Sequence, residues 1–235
     1  MALKLSELRS KLKRDHPEIK GFTDAQINTE LNEGSLEIAQ VTECLPTNED
    51  QTLTKDTETF ALPSDFLNID REGGVLAKIL SSNTKFQRLH YRTQEELDSD
   101  YSFWRDQTAG TPHSYFIRGT NVHIFPKFSG TSVSSGLRIY YFQSPTVMTT
   151  GSDQEPFNNV SYLDPFHKTV VLYAAEVILT SIKKYGDAAA VHRLYVDRIA
   201  VMKDFMQNRL LDDFTPDMRM GLAARQFSGR RKGRF

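Results

Sequence analysis

The sequence predicts an α+β fold: an α-helical bundle with an inserted antiparallel β-sandwich and an extended C-terminal arm. Three observations predict it. Helical apolar spacing at both ends encloses a middle of short β-prone runs separated by Gly, Pro, Ser, Asn and Asp. The order is helices, sheet, helices, which is not an alternating βαβ chain. The stretch Thr215 to Phe235 fits neither pattern. It carries Arg219, Arg225, Arg230, Arg231, Lys232 and Arg234 against Asp217, a balance of +5; the whole chain sums to −1, so residues 1–214 carry −6. Four segments result: bundle helices in 1–44, a β-sandwich insertion in 45–150, further bundle helices in 151–214 and a basic arm in 215–235.

At the N-terminal end, Leu5, Leu8 and Leu12 recur at helical spacing and are followed by Pro17, which predicts a short amphipathic helix ending before the proline. A second helix opens at Thr23, with Gln26 at the capping-box position and Phe22 and Ile27 placed as a hydrophobic staple. Its stripe runs through Ile27, Leu31, Gly34, Ile38 and Val41, and Gly34 is small enough to admit another backbone. The middle region holds candidate strands at 57–62, 66–70, 75–80, 86–91, 114–118, 122–125 and 137–142. Gly119, Thr120 and Asn121 mark a hairpin turn, and Thr93 with Glu96 opens a short helix reaching Trp104. Thr131 to Gly136, TSVSSG, reads as a hairpin loop.

Asp164 and Pro165 form an N-cap and first-turn pair for a third bundle helix that is apolar on more than one face. Lys183 and Lys184 suit its last turn, Gly186 supplies a left-handed stop, and Asp187 caps a final helix running to about Leu211. In that helix Tyr195, Ile199, Met202 and Met206 form a stripe that Leu194, Val201 and Phe205 widen. So short a connection predicts antiparallel docking of the last two helices.

Composition places the chain among soluble proteins. Cys44 is the only cysteine, so no intramolecular disulfide framework exists, which fits a reducing compartment. The N-terminal residues have no apolar core of signal-peptide length, and the longest apolar run, Val170 to Ala175, stops at Glu176, far short of a membrane span.

Catalytic signatures are missing from the sequence. Histidines 16, 90, 113, 123, 167 and 192 show no HExxH pair or zinc spacing, so neither metal nor cofactor is expected. His167, opening an apolar helix, reads as a first-turn residue hydrogen-bonded locally or across an interface, and His123 as a sheet residue that faces solvent or has a satisfied partner. No GxSxG elbow is present, Cys44 lacks activating neighbours, and Gly73–Gly74 lacks the spacing of a phosphate loop. Glu95, Glu96, Asp98 and Asp100 read as the solvated face of the short helix. An enzyme reading has no positive support.

The arm is the functional signal. Its charge suits phosphate neutralisation, which makes a nucleic-acid-binding protein gripping through the basic C-terminal arm the alternative reading. Its interleaved Met218, Met220, Leu222, Phe227 and Phe235 suit a segment that folds onto a protein groove.

The runs LPSDFLNID (62–70), GTPHSYFIRGTNVHIFPK (110–127), LRIYYFQSP (137–145) and HKTVVLYAAEVIL (167–179), with FTDAQINTELNEGSLEIAQ (22–40) as a first long helix, resemble head-to-tail adaptor proteins of tailed bacteriophages, also called connector or head completion proteins, with tail-tubular-like versions in short-tailed phages. The resemblance implies a noncatalytic virion protein at the portal vertex or neck, assembled in the host cytoplasm as a ring of twelve copies. It implies three partners: the portal protein, a tail nozzle or tail tube protein, and double-stranded DNA passing without sequence-specific binding. No membrane is implied. In such adaptors the C-terminal segment reaches the portal, so Arg219, Leu222, Arg225, Phe227, Arg230 and Arg231 become the expected anchors of a portal-docking arm. Helices apolar on several faces then pack on identical neighbours, and an acidic body lines the DNA channel.

Overall fold

The computed structural model describes residues 2–71, 73–78, 85–101, 104–149 and 154–213. The fold is α+β, with five α-helices and nine strands among the described residues. The chain divides into two compact units, one of residues 1–38 with the chain from 148 onward and the other of residues 39–147.

The first unit is helical. Helix α1 (Leu5–Asp15) buries Leu5, Leu8 and Leu12, one stripe at helical spacing. Helix α2 (Asp24–Thr42) is opened by a reciprocal box: the Thr23 amide donates to Gln26 Oε1 at 3.0 Å and the Gln26 amide to Thr23 Oγ1 at 3.3 Å. Ile27, Leu31, Gly34 and Ile38 are buried as their spacing predicts. Val41 is 38% exposed, because the drift of a 3.6-residue helix has carried it off the buried face by the last turn.

Helices α4 (His167–Ser181) and α5 (Tyr185–Asp213) follow in the same unit. Ring pairs Tyr173–Tyr195 at 5.9 Å and Phe166–Phe205 at 5.4 Å run in opposite sequence directions, so the two helices dock antiparallel. The breadth of apolar surface on α4 is consumed within the unit: Val170, Val171, Ala174, Ala175, Ile178 and Leu179 are all buried. Boundary signals fared less well. Asp164 and Pro165 lie in a 3-10 turn (Ser161–Phe166) ahead of α4, whose N-cap position is Phe166. The left-handed residue after α4 is Lys183 (φ 63°), not Gly186, which is already inside α5. A main-chain bond from the Lys184 amide to the Leu179 carbonyl at 2.9 Å closes that turn two residues earlier than the glycine would.

The second unit is a pair of sheets over one core. The first sheet is built on the long strand β9 (Val133–Gln143), with β1 (Pro46–Leu53) along one edge and β3 (Phe66–Ile69) and β4 (Val75–Ala77) along the other; β5 (Gln87–Arg88) extends it. The second has the order β2-β8-β7-β6, from Thr59–Ala61, Asn121–Phe125, Ser114–Arg118 and His90–Tyr91. Pairing is antiparallel except for β6 and β7, which run parallel. Leu53, Val75, Leu137, Ile139 and Tyr141 from the first sheet meet Phe60, Tyr115, Val122 and Ile124 from the second, which makes a sandwich core. Helix α3 (Gln94–Asp100) is capped by Thr93 and Glu96 and covers a smaller cluster of Leu97, Trp104, Phe116 and Phe125.

Gly119 (φ 59°) makes the turn between β7 and β8, where Arg118 pairs with Asn121. The TSVSSG segment is no loop from Val133 onward. Gln51 pairs with Leu137 and Leu53 with Val133, so β9 bulges there, with Ser135 at φ 49°. A Cβ on Gly136 would lie 2.7 Å from the Val133 carbonyl, which is why glycine is needed at that point.

Candidate functional site

His167 tests the chemistry of the helical unit first. The Leu3 amide donates to His167 Nδ1 at 2.9 Å, so the neutral ring carries its proton on Nε2. Nε2 is buried without a hydrogen-bond partner, 4.0 Å from Asp164 Oδ1, and Glu155, Asp164 and His167 bring polar atoms within 4.8 Å of one another. This does not suit a metal ion, because a ligating Nε2 needs its lone pair and therefore a proton on Nδ1, where the Leu3 amide already points. Burial pushes the imidazole pKa down, Asp164 pushes it back, and the amino-terminal charge opposes protonation. His167 is therefore a clasp on the segment before α1.

In the sandwich unit His113 Nδ1 lies 2.7 Å from Ser114 Oγ, but Ser114 is 1% exposed and no substrate atom reaches its hydroxyl. His123 stacks on Phe116 at 4.7 Å and contacts Thr59 Oγ1 at 3.2 Å, a satisfied sheet residue. Cys44 is buried, which pushes its thiol to about 11 and keeps it out of the reactive thiolate form. Three of the four acidic residues of α3 have structural partners: Glu96 closes the capping box, Asp98 accepts from Trp104 Nε1 at 2.7 Å, and Asp100 pairs with Arg92.

Surface, not a cleft, is where the helical unit departs from ordinary packing. Of the predicted stripe, helix α5 buries Ile199, Met202 and Met206 and half-buries Tyr195, and Val191 is buried as well. The residues that widen the stripe remain outside: Leu194 is 56% exposed and Val201 54%, with Phe205 beside them. The positions 194, 201 and 205 share one side of the helix, about 100° from the buried face at 100° per residue.

A second surface was not singled out in the sequence. Tyr173 and Tyr195, both half-buried, sit beside a set of carboxylates: burial first, then Glu37, Tyr173 and Glu176, push the Tyr195 phenol up to about 12, and burial with Glu37, Glu33, Glu30 and Glu176 raises that of Tyr173. Glu30 Oε2 is buried with no hydrogen-bond partner, and burial with Glu33 nearby raises its pKa. The sequence signal was the E-x-x-E-x-x-x-E spacing of α2, which places three carboxylates on one helix side.

The anchors expected in the arm, Arg219, Leu222, Arg225, Phe227, Arg230 and Arg231, lie outside the described residues. Among the described residues no helix is long and apolar enough to cross a membrane. A family model described as SU10 adaptor protein matches residues 3–220, through both units and past the end of α5. No curated protein matches the chain.

Proposed function

This chain belongs to the SU10 adaptor protein family, a family of phage head-to-tail adaptors, and on that premise we propose that it forms a closed ring at the neck of the virion, docks on the portal, continues the DNA channel and offers the platform for the tail. The family match over residues 3–220 carries this reading. The exposed Leu194, Val201 and Phe205 on α5 support it, since contact with identical neighbours removes them from water. The arm, with its +5 balance and apolar anchors, is the portal strap, held by Arg219, Leu222, Arg225, Phe227, Arg230 and Arg231. The −6 carried by residues 1–214 keeps the passing duplex from sticking to the channel wall. A ring of twelve matches the expectation for such adaptors, and host cytoplasm is the place of assembly.

The test is to mix the full chain with its portal and measure the mass and symmetry of the product. A ring that forms on the portal, and is lost when residues 215–235 are deleted while the remainder stays folded, supports the reading. Undiminished binding after the deletion overturns the strap, and a strongly basic lumen in the assembled ring overturns the acidic channel. The segregated charge also favours a second reading, in which the arm grips nucleic acid. That reading requires affinity that falls steeply with salt and is lost with the arginines, and no binding of DNA or RNA at low salt removes it.

A further inference from the structure

Phe157, Asn158 and Asn159 lie in succession at φ 58°, 58° and 59°, in the left-handed region. Among the described residues the other non-glycine positions of positive φ, Glu43, Asp56, Ser135 and Lys183, occur singly. Asparagine enters this region at low cost, but as an isolated residue, and phenylalanine meets a steric penalty there at its Cβ. A left-handed run of three is therefore imposed by what surrounds it. Phe157 is fully buried, and its ring lies 6.0 Å from that of His167. The segment ahead of α1 is bonded on both sides of the turn. The Leu5 amide donates to the Gln154 carbonyl at 3.3 Å, just before it, and the Leu3 amide to His167 Nδ1 at 2.9 Å, after it. His167 therefore links the two elements, with its ring against Phe157 and its Nδ1 on Leu3. This arrangement also leaves His167 Nε2 buried and unpartnered, 4.0 Å from Asp164 Oδ1, a second local cost beside the strained backbone.

We propose that residues 3–5 are a strap that holds the turn 157–159 in its left-handed form, and that strap and turn open as one unit. With Leu3 and Leu5 undocked, the His167 ring is free to rotate, Phe157 loses its seat and 157–159 relaxes to right-handed backbone. With the turn relaxed, Gln154 and His167 no longer hold their acceptors where the two strap amides meet them. Each half persists only while the other is in place, which makes the pair a local two-state element. The strain at Phe157 and the unmet Nε2 proton bring its open form closer in free energy, while Leu8 and Leu12 keep the body of α1 buried on the bundle. Opening exposes Leu5 and Phe157, which are 2% and 0% exposed when the strap is shut. A partner that covers apolar surface at this end of the bundle therefore selects the open form.

The experiment is hydrogen exchange on the full chain at about pH 7.5, where His167 is unprotonated, comparing Asn158→Gly with Asn158→Ala. The two variants lose the same side-chain contacts and differ in the cost of left-handed backbone, which glycine removes. The Leu3 and Leu5 amides should exchange about fivefold faster in the alanine chain, the effect of one Cβ in a left-handed residue. In both chains they should exchange well ahead of the Ala175 amide inside α4, which reports global unfolding. Equal exchange of Leu3 and Leu5 in the two chains overturns the coupling. Exchange of both at the Ala175 rate overturns it as well, because the strap then has no opening of its own. The reverse direction uses Leu3→Pro, which removes the donor to His167. The Val160 amide, which closes the turn on the Phe157 carbonyl at 3.2 Å, should then exchange about fivefold faster, the effect of one lost hydrogen bond. Unchanged Val160 exchange in that variant also overturns the proposal. No portal or arm enters these measurements, so their failure leaves the adaptor reading standing.

Discussion

Tyr173 of α4 lies directly against Gly34 of α2: a Cβ at position 34 would sit 2.8 Å from Tyr173 Cδ1 and 3.2 Å from its Cβ. The contact involves the root of the ring as well as its edge, so rotating the side chain does not relieve it. Alanine at 34 gains about 1 kcal/mol of helix propensity and incurs about 1–3 kcal/mol of overpacking. Gly34→Ala is expected to lower stability by about 1 kcal/mol on balance. In a Tyr173→Ala background the ring is gone and only the Cβ contact at 3.2 Å remains, so the same substitution should lower the urea midpoint less. An equal fall in both backgrounds would show that the ring is not what excludes a side chain at 34.

The exposed side of α5 makes a different kind of prediction. Leu194 and Val201 are more than half exposed and hold up nothing inside the chain. Leu194→Asp with Val201→Asp should therefore leave the thermal midpoint of the isolated chain nearly unchanged, within about 0.5 kcal/mol for each site. If α5 packs on neighbouring copies, the same pair of charges should block ring formation on the portal, because a buried unpaired carboxylate costs several kcal/mol. Native mass spectrometry of the mixture reads the outcome; a complete ring built from the double variant would take α5 out of the subunit interface.

How much of this was legible in the sequence depends on which physical signal each element carries. Leu5, Leu8 and Leu12 announced α1 because burial of one stripe alone decides that helix. Thr23 with Gln26 and Thr93 with Glu96 announced two helix starts because a capping box is a local bond pattern that needs no tertiary context. Strand β1 was not visible: PTNEDQTL has one buried residue, Leu53, and is held as an edge strand by main-chain pairing with β9, which its polar side chains do not report. The end of α4 was misplaced because Lys183 adopts the left-handed conformation that glycine would adopt more readily three residues later. The acidic face required knowing that Glu176 of α4 joins three carboxylates of α2, a tertiary fact with no local trace.

The pairing of β1 with β9 is reinforced by one ion pair that can be titrated. Arg138 Nε and an Nη contact the two Asp50 oxygens at 2.6 and 2.7 Å, and Arg138 holds the Asp50 carboxyl below its ordinary value of 3.8. A depressed carboxylate contributes stability that is fully present above its unfolded pKa and is lost as pH falls through the folded value. Asp50→Asn should cost about 0.5–1 kcal/mol at pH 7 for a half-exposed pair. The gap between wild type and variant in urea midpoint should then close as the pH is taken from 5 to 2. A gap that stays constant over that range would mean the carboxylate charge is not what Arg138 recognises.

The clasp at His167 makes the N-terminal segment sensitive to pH in a higher window than the Asp50 pair. Its Nδ1 can accept the Leu3 amide only while unprotonated there, so the imidazolium and the Leu3 bond exclude one another. The groups facing the ring are Asp164 and Glu155, which favour the proton, and the amino-terminal charge, which opposes it; burial is the largest influence and depresses the pKa from 6.5. For a histidine whose folded pKa is lowered, the unfolded chain binds the proton more readily, so stability is complete above 6.5 and is lost as pH falls from 6.5 to the folded value. Hydrogen exchange corrected for intrinsic rate should show Leu3 protection falling between pH 7.5 and 5.5 in the wild-type chain. In a His167→Gln chain, whose amide oxygen accepts the same bond without titrating, that protection should be flat over the range. His113 and His123 are also depressed by burial, and their contributions, common to both chains, cancel in the comparison. Equal pH dependence of Leu3 protection in the two chains would show that His167 does not hold the segment.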